Sequence, residues 1–300
     1  MRGSRQLARM GLLVMLLAGS PPGLAAPSDS RMETAEASIE AAIAQRHADV
    51  AVGFRMLGGS ASWLLRGDES FHAASTMKVP VLIELFRQAR AGRLRLDDPL
   101  PIRNEFPSLV DGSPYHLDAD DDSEADLYRA VGGSRTLAQL AELMITVSSN
   151  LATNLLIERL GIVNIQAAVH ALGADGMQVL RGVEDSKAFQ QGLNNTTTAR
   201  ALLTLMTAIA AGQAVDAESS RAMVAILERQ TFNDGIPAGL PAGTRVAHKT
   251  GEITRIQHDA AIVYARRPFV LVILTRGIAD RRESAALIAD IARQVYAAVE

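Results

Sequence analysis

TRVAHKTGEITRIQHDAAIVYARRPFVLVILTR, residues 244–276, is the stretch whose reading decides the fold. It holds three short β-rich runs, 244–249, 258–266 and 268–276, separated by turns. An amphipathic helix over about 282–298 follows and closes the chain. Near the other end, residues 49–57 (DVAVGFRML) alternate in the manner of a half-buried strand. Gly58-Gly59-Ser60 then signals a turn, and 61–65 return as a second strand to make a hairpin. A helical segment over 31–47 precedes that hairpin, with Ile39, Ala42 and Ile43 on one face.

Between the two groups of strands the pattern is helical. Residues 75–91 carry Val79, Leu82, Ile83, Leu85 and Phe86; segments 137–146, 150–160, 162–172, 196–212 and 216–229 follow. Two stretches break this block: residues 103–133, loop-like and acidic, and a long polar loop at 182–195. Strands from both ends must meet in one sheet. The economical solution is α+β: an antiparallel sheet of about five strands packed by the N- and C-terminal helices, with an all-helical subdomain inserted. The α/β part is expected at about 31–75 and 230–300, and the helical part at about 76–229, within one domain over 27–300.

Composition narrows the function. The 300 residues are 48% hydrophobic and 21% charged, enough apolar content for a sizeable core and too little charge for disorder. The net charge of −3 carries no nucleic-acid footprint. The chain has no cysteine, which excludes disulfides, thiolate metal sites, a cysteine nucleophile and a lipoprotein anchor. No histidine pairing has metal-ligand spacing, so no metal and no cofactor is expected. Arg2, Arg5 and Arg9, an apolar run over 11–19, and small residues at Gly23, Ala25 and Ala26 have the layout of a signal peptide over residues 1–26. That run is too short for a permanent span. The expected product is a periplasmic or secreted monomer without a stable membrane span.

Three short patterns carry the chemistry. Ser75-Thr76-Met77-Lys78 opens an apolar helix; Ser148-Ser149-Asn150 joins two helical segments; Lys249-Thr250-Gly251 ends a strand-like run. Residues three apart share a helix face, so Lys78 can set an amine beside the Ser75 hydroxyl. A serine is a weak nucleophile until a base takes its proton, and a desolvated lysine near another cation is such a base. Each pattern alone also fits a capped surface helix or a strand end. Their joint order and placement carry the weight.

Over essentially its whole mature length the chain resembles the class A β-lactamase-like serine hydrolases of the penicillin-recognising superfamily. FHAASTMKVPVLIELF resembles that family's nucleophile helix, MITVSSNLATNLLIERLG its second motif, and VAHKTG its third. The resemblance implies the β-lactamase/transpeptidase-like fold and assigns roles by position. Ser75 would be acylated, Lys78 would move the proton, and Ser148 would relay it towards the leaving nitrogen. Asn150 would bind the substrate amide and Lys249 and Thr250 would hold its carboxylate, with Gly251 and Glu252 completing the substrate-binding set. The backbone N–H groups of Ser75 and Glu252 would form the oxyanion hole.

The implied ligand is a small-molecule β-lactam or a peptidoglycan-like amide. β-Lactam hydrolysis is the leading reaction; a D-alanyl-D-alanine peptidase or other acyl hydrolase, and a non-hydrolytic β-lactam sensor, are the alternatives. This sequence departs from the family pattern in three places. Ser149 stands where aspartate is usual. Ser75 and Ser148 are 73 positions apart, with an acidic run over 118–124, read as a solvated face, holding the surplus. The carboxylate that would activate the deacylating water falls in 181–188, where Glu184 is the first candidate and Asp185 the second, and Ala188 takes the place of the family's asparagine. His248 and His258 could line the cleft, and Arg255 could serve as an extra carboxylate or loop anchor.

Overall fold

A computed structural model describes residues 29–46 and 48–300; the expected signal peptide at 1–26 lies outside the described residues. In chain order the principal elements are α1 (Asp29–Ala44), β1 (Asp49–Met56), β2 (Ser62–Leu65) and α2 (Lys78–Arg90). Next come α3 (Leu137–Thr146), α4 (Asn150–Leu160), α5 (Ile162–Ala171), α6 (Ala199–Ala210) and α7 (Ala217–Leu227). The chain ends in β3 (Arg245–Ile253), β4 (Ile256–Tyr264), β5 (Phe269–Arg276) and α8 (Arg281–Val299).

The five strands form one antiparallel sheet in the order β2-β1-β5-β4-β3. First and last strands therefore meet, β1 against β5, as the two-ended strand pattern requires. Side chains alternate across a strand, and here both faces are covered. Phe269, Leu271 and Ile273 of β5 join Val52 and Phe54 of β1 under α1 and α8. Val270, Val272 and Leu274 point the other way, into the larger core shared with α6 and the helical block. That double burial explains why FVLVIL reads as an unbroken apolar run rather than an alternating one. Every side chain of that run is fully buried, and each contributes about 1.5–3 kcal/mol.

Local signals set several helix starts. Thr136 and Gln139 form a reciprocal capping box on α3, and Ser149, Thr198, Asp216 and Asp280 cap α4, α6, α7 and α8. Two boundaries differ from the sequence expectation in a way that matters for the site. Ser75 does not open the α-helix: residues Ala74–Met77 form a 3₁₀ turn and α2 begins at Lys78. Pro80 thus falls in the first turn of α2, where its missing N–H has no intrahelical partner to lose. The run expected to end at Lys249 continues to Ile253, so the third motif lies within β3. In addition, residues Thr196–Thr197 are not helical; they pair with Phe71–His72 in a short antiparallel ladder ahead of the nucleophile turn. Among the described residues no helix is long and apolar enough to cross a membrane.

Candidate active site

The three motifs converge on one cleft. The sheet brings β3 against the 3₁₀ turn of Ser75, and the contact is close enough to need a glycine. A Cβ on Gly251 would stand 3.1 Å from the backbone nitrogens of Ser75 and Thr76 and from Thr76 Cγ2. The buried turn is held from below: Thr76 Oγ1 donates to the Ala73 carbonyl at 2.6 Å, and the Ala74 N–H donates to His72 Nδ1 at 3.0 Å. His258 Nε2 lies 2.8 Å from the His72 carbonyl, tying β4 to the same segment.

Ser148 Oγ is the shared point of the polar centre. It accepts from Lys78 Nζ and from Lys249 Nζ, each at 3.1 Å. Lys78 Nζ also donates to the Ser148 carbonyl at 2.6 Å and to Asn150 Oδ1 at 3.0 Å, and Lys249 Nζ to the Thr250 carbonyl at 2.8 Å. Both lysines are fully buried. Burial lowers the Lys78 ammonium to about 7 against the pull of the Asp122 and Glu184 carboxylates. It drives Lys249 well below the ordinary lysine range, and the neighbouring Lys78 charge pushes the same way. A lysine poised near neutrality can take a proton from a hydroxyl.

The polypeptide is strained around this centre. Among the described residues, five non-glycine residues adopt positive φ, and four of them, Ala74, Ser148, Glu184 and Arg255, line the cleft. Such conformations cost of order 1–3 kcal/mol each and persist where the surroundings hold them. Ser148, at φ 60°, turns between α3 and α4 so that its hydroxyl faces both lysines.

Glu184 reaches the same network from the opposite wall. Its Oε1 accepts from Asn150 Nδ2 at 3.0 Å and its Oε2 from the Asp118 N–H at 3.1 Å. Half-burial raises its pKa above the usual carboxylate range. Asp185 points elsewhere: its carboxylate accepts from Ser108 Oγ at 2.8 Å, the Leu109 N–H at 2.7 Å and the Ala188 N–H at 3.1 Å. Its carboxylate contacts fix the loop, and the residue borders only the second cavity. Asn154, one turn after Asn150, pins the loop by accepting from the Val183 N–H at 2.7 Å and donating to the Val183 carbonyl at 3.0 Å.

Two cavities, of about 680 Å³ and about 650 Å³, open on either side of Ser75. The first runs past Ser148, Thr250 and Gly251 towards Arg255 and Arg281, and the second past Asn150, Val183 and Glu184. Glu252 borders both, with its carboxylate paired to Arg281 at 2.8 Å.

The cleft thus gathers Ser75, Lys78, Ser148, Asn150, Glu184, Lys249, Thr250, Gly251 and Glu252. His248 and His258 do not line it. His248 is buried behind β3 with Nδ1 2.9 Å from Asp259, and His258 is buried and lowered to about 4, which keeps it neutral. Arg255 acts as a loop anchor: it donates to the Gly277 carbonyl at 2.6 Å, and its own carbonyl accepts from the Gly277 N–H at 2.8 Å. The acidic run 118–124 is not simply a solvated face, because Asp122 is buried and bonds the start of α4. Sequence reasoning missed Asp122 and Asn154. For Asn154 the four-residue spacing from Asn150 was a usable signal. Nothing local distinguishes Asp122 from the acids around it.

Comparison with known proteins bears on the family and the fold. A model of the beta-lactamase enzyme family matches residues 34–299. A β-lactamase of Rhodobacter capsulatus is 33% identical over 154 residues, half of this chain and about half (48%) of that protein's length. β-Lactamase Toho-2 of Escherichia coli is 28% identical over 279 residues, 90% of this chain and 89% of that protein. The crystal structure of a β-lactamase from Sphaerobacter thermophilus superposes with a TM-score of 0.75 at 25% identity, covering 89% of this chain and 97% of that one.

Proposed function

The chain belongs to the beta-lactamase enzyme family, and on that premise we propose that it hydrolyses β-lactams through an acyl-enzyme on Ser75. The observation that carries the reading is the double approach of Lys78 Nζ and Lys249 Nζ to Ser148 Oγ, in a cleft that Ser75 borders.

Substrate enters with its carboxylate against Lys249 and Thr250. That negative charge opposes the desolvation that lowers the Lys249 pKa, so a bound carboxylate favours the Lys249 ammonium that holds it. Asn150 presents its side-chain amide to the substrate amide. Neutral Lys78 takes the Ser75 proton as Oγ attacks the lactam carbonyl. The N–H groups of Ser75 and Glu252 receive the developing oxyanion; Gly251 lets the strand bearing Glu252 come that close. The proton passes from Lys78 through Ser148 Oγ to the lactam nitrogen as the C–N bond breaks. Glu184 then takes a proton from water as its oxygen adds to the ester carbonyl; when the Ser75 Oγ–C bond breaks, that proton passes on to Ser75 Oγ, which restores the serine hydroxyl and the Glu184 carboxylate.

Intact-protein mass spectrometry with benzylpenicillin, beside a chromogenic cephalosporin assay, tests this. Expected are one transient adduct on Ser75, rapid turnover, and neither in Ser75→Ala. A stable adduct without turnover supports a sensor or a peptidase, and an adduct that survives Ser75→Ala overturns the assignment. Export rests on the basic start and apolar run at 1–26 and is checked by the N-terminal mass of the protein recovered outside the cytoplasm. A monomeric state is checked by light scattering.

A further inference from the structure

The acidic run 118–124 belongs to none of the three motifs, yet one of its members reaches the second. Asp122 is 8% exposed. Its Oδ2 accepts from the Asn150 N–H at 2.8 Å, the Leu151 N–H at 2.9 Å, the Tyr128 hydroxyl at 2.9 Å and Ser149 Oγ at 3.3 Å. Its Oδ1 accepts from the Glu124 N–H at 3.1 Å. The Ser149 hydroxyl accepts from the Ala152 N–H at 3.2 Å, further along the same helix end. The first free N–H groups of α4 are therefore satisfied by a carboxylate 28 residues earlier in the chain, where the helix dipole favours negative charge.

What this carboxylate grips is the turn that carries the chemistry. Ser148 sits at φ 60°, a conformation that has to be held, and Asn150 bridges Lys78 to Glu184. We propose that Asp122 is a positioning residue of the acyl-transfer centre. From a separate loop, it locks the Ser148–Asn150 turn so that Ser148 Oγ lies between the two lysines, a task that Ser149 is too short and uncharged to perform. Its charge also acts on Lys78, favouring the ammonium against burial. Only the turnover measurement below rests on the function proposed above.

The test compares Asp122→Asn, the double variant Asp122→Asn/Ser149→Asp, and Tyr128→Phe with the parent. Three quantities are read: the titration of the Lys78 ε-carbon by NMR, amide exchange at Asn150 and Leu151, and kcat/KM on a chromogenic cephalosporin. Asp122→Asn should move the Lys78 titration to lower pH and speed both exchanges at least about tenfold. It should cut kcat/KM on the order of 100-fold, chiefly through kcat. Ser149→Asp in the same chain should recover at least a tenth of the parental kcat/KM and return the titration. A helix cap with no other role would leave the Lys78 titration unmoved.

Parental titration and kcat/KM in Asp122→Asn overturn the proposal, as does a double variant that melts like the parent without recovery. Where Asp122→Asn does not fold, Tyr128→Phe decides: a loss of about fivefold is expected, and parental kinetics and titration overturn the proposal. If the parent itself ignores the cephalosporin, the assigned reaction fails, and the titration and exchange still decide this one.

Discussion

Asn150 donates from Nδ2 to Glu184 Oε1 at 3.0 Å while its Oδ1 accepts from Lys78 Nζ at 3.0 Å, so a single amide joins Lys78 to the loop carboxylate. The chain of contacts Lys249–Ser148–Lys78–Asn150–Glu184 runs unbroken across the cleft.

Glu184→Gln keeps the shape of the Asn150 contact and removes the proposed base. Deacylation should fall by at least about 100-fold while acylation changes by less than about tenfold. Quench-flow with mass spectrometry should then show the Ser75 adduct accumulating to stoichiometry. Unchanged turnover would remove Glu184 from the reaction.

Asp185→Asn acts on the loop instead. The carboxylate's bonds to Ser108 and to the Leu109 and Ala188 N–H groups weaken, costing about 1–3 kcal/mol of stability. The denaturant midpoint should drop, and deacylation should slow much less than in Glu184→Gln.

The pH profile of acylation should report Lys78. Its neutral form predominates above about 7 and is the proposed base, so the rate should fall about tenfold per unit as pH drops below that value. Stopped-flow acylation over pH 5–9 (range on the order of the titration) reads the limb. A flat profile across this range would assign the proton transfer elsewhere.

Lys78→Met should abolish acylation and stabilise the fold. A lysine whose folded pKa lies below its unfolded value costs stability in full below about 7, and the cost fades as pH rises towards the ordinary lysine range. The variant should gain about 1–3 kcal/mol at neutral pH, and the gain should shrink by pH 10. Chemical denaturation at the two pH values measures both.

Gly251→Ala forces a Cβ to 3.1 Å from the backbone of Ser75 and Thr76. Either β3 or the Ser75 turn must give, which separates the Ser75 and Glu252 N–H groups proposed to bind the oxyanion. Loss of kcat/KM on the order of 100-fold is expected, with about 1–3 kcal/mol of stability, read by steady-state kinetics and melting.

The sequence carried the sheet and its helices because apolar periodicity is a local property. Residues 49–57 and 268–276 each announce a strand, and only pairing them buries both. It carried the three short motifs that meet in the cleft because each lies within three or four residues. It did not carry the 3₁₀ turn at Ser75, because close packing against Gly251 outweighs the helix preference of the segment that follows.

What the sequence alone determined, then, is the order of elements and which residue types could react: a serine three before a lysine, and a second lysine ahead of a glycine. Tertiary structure decided which of two adjacent carboxylates faces the cleft. The φ of 64° at Glu184 turns its side chain inward, while Asp185 is spent capping the short helix Ser186–Gln190. It also decided that Asp122, unremarkable among its acidic neighbours, is withdrawn from water to hold the second motif. Both outcomes depend on contacts between segments 27 to 77 residues apart, and a carboxylate's partners at that range follow from the packing of the chain.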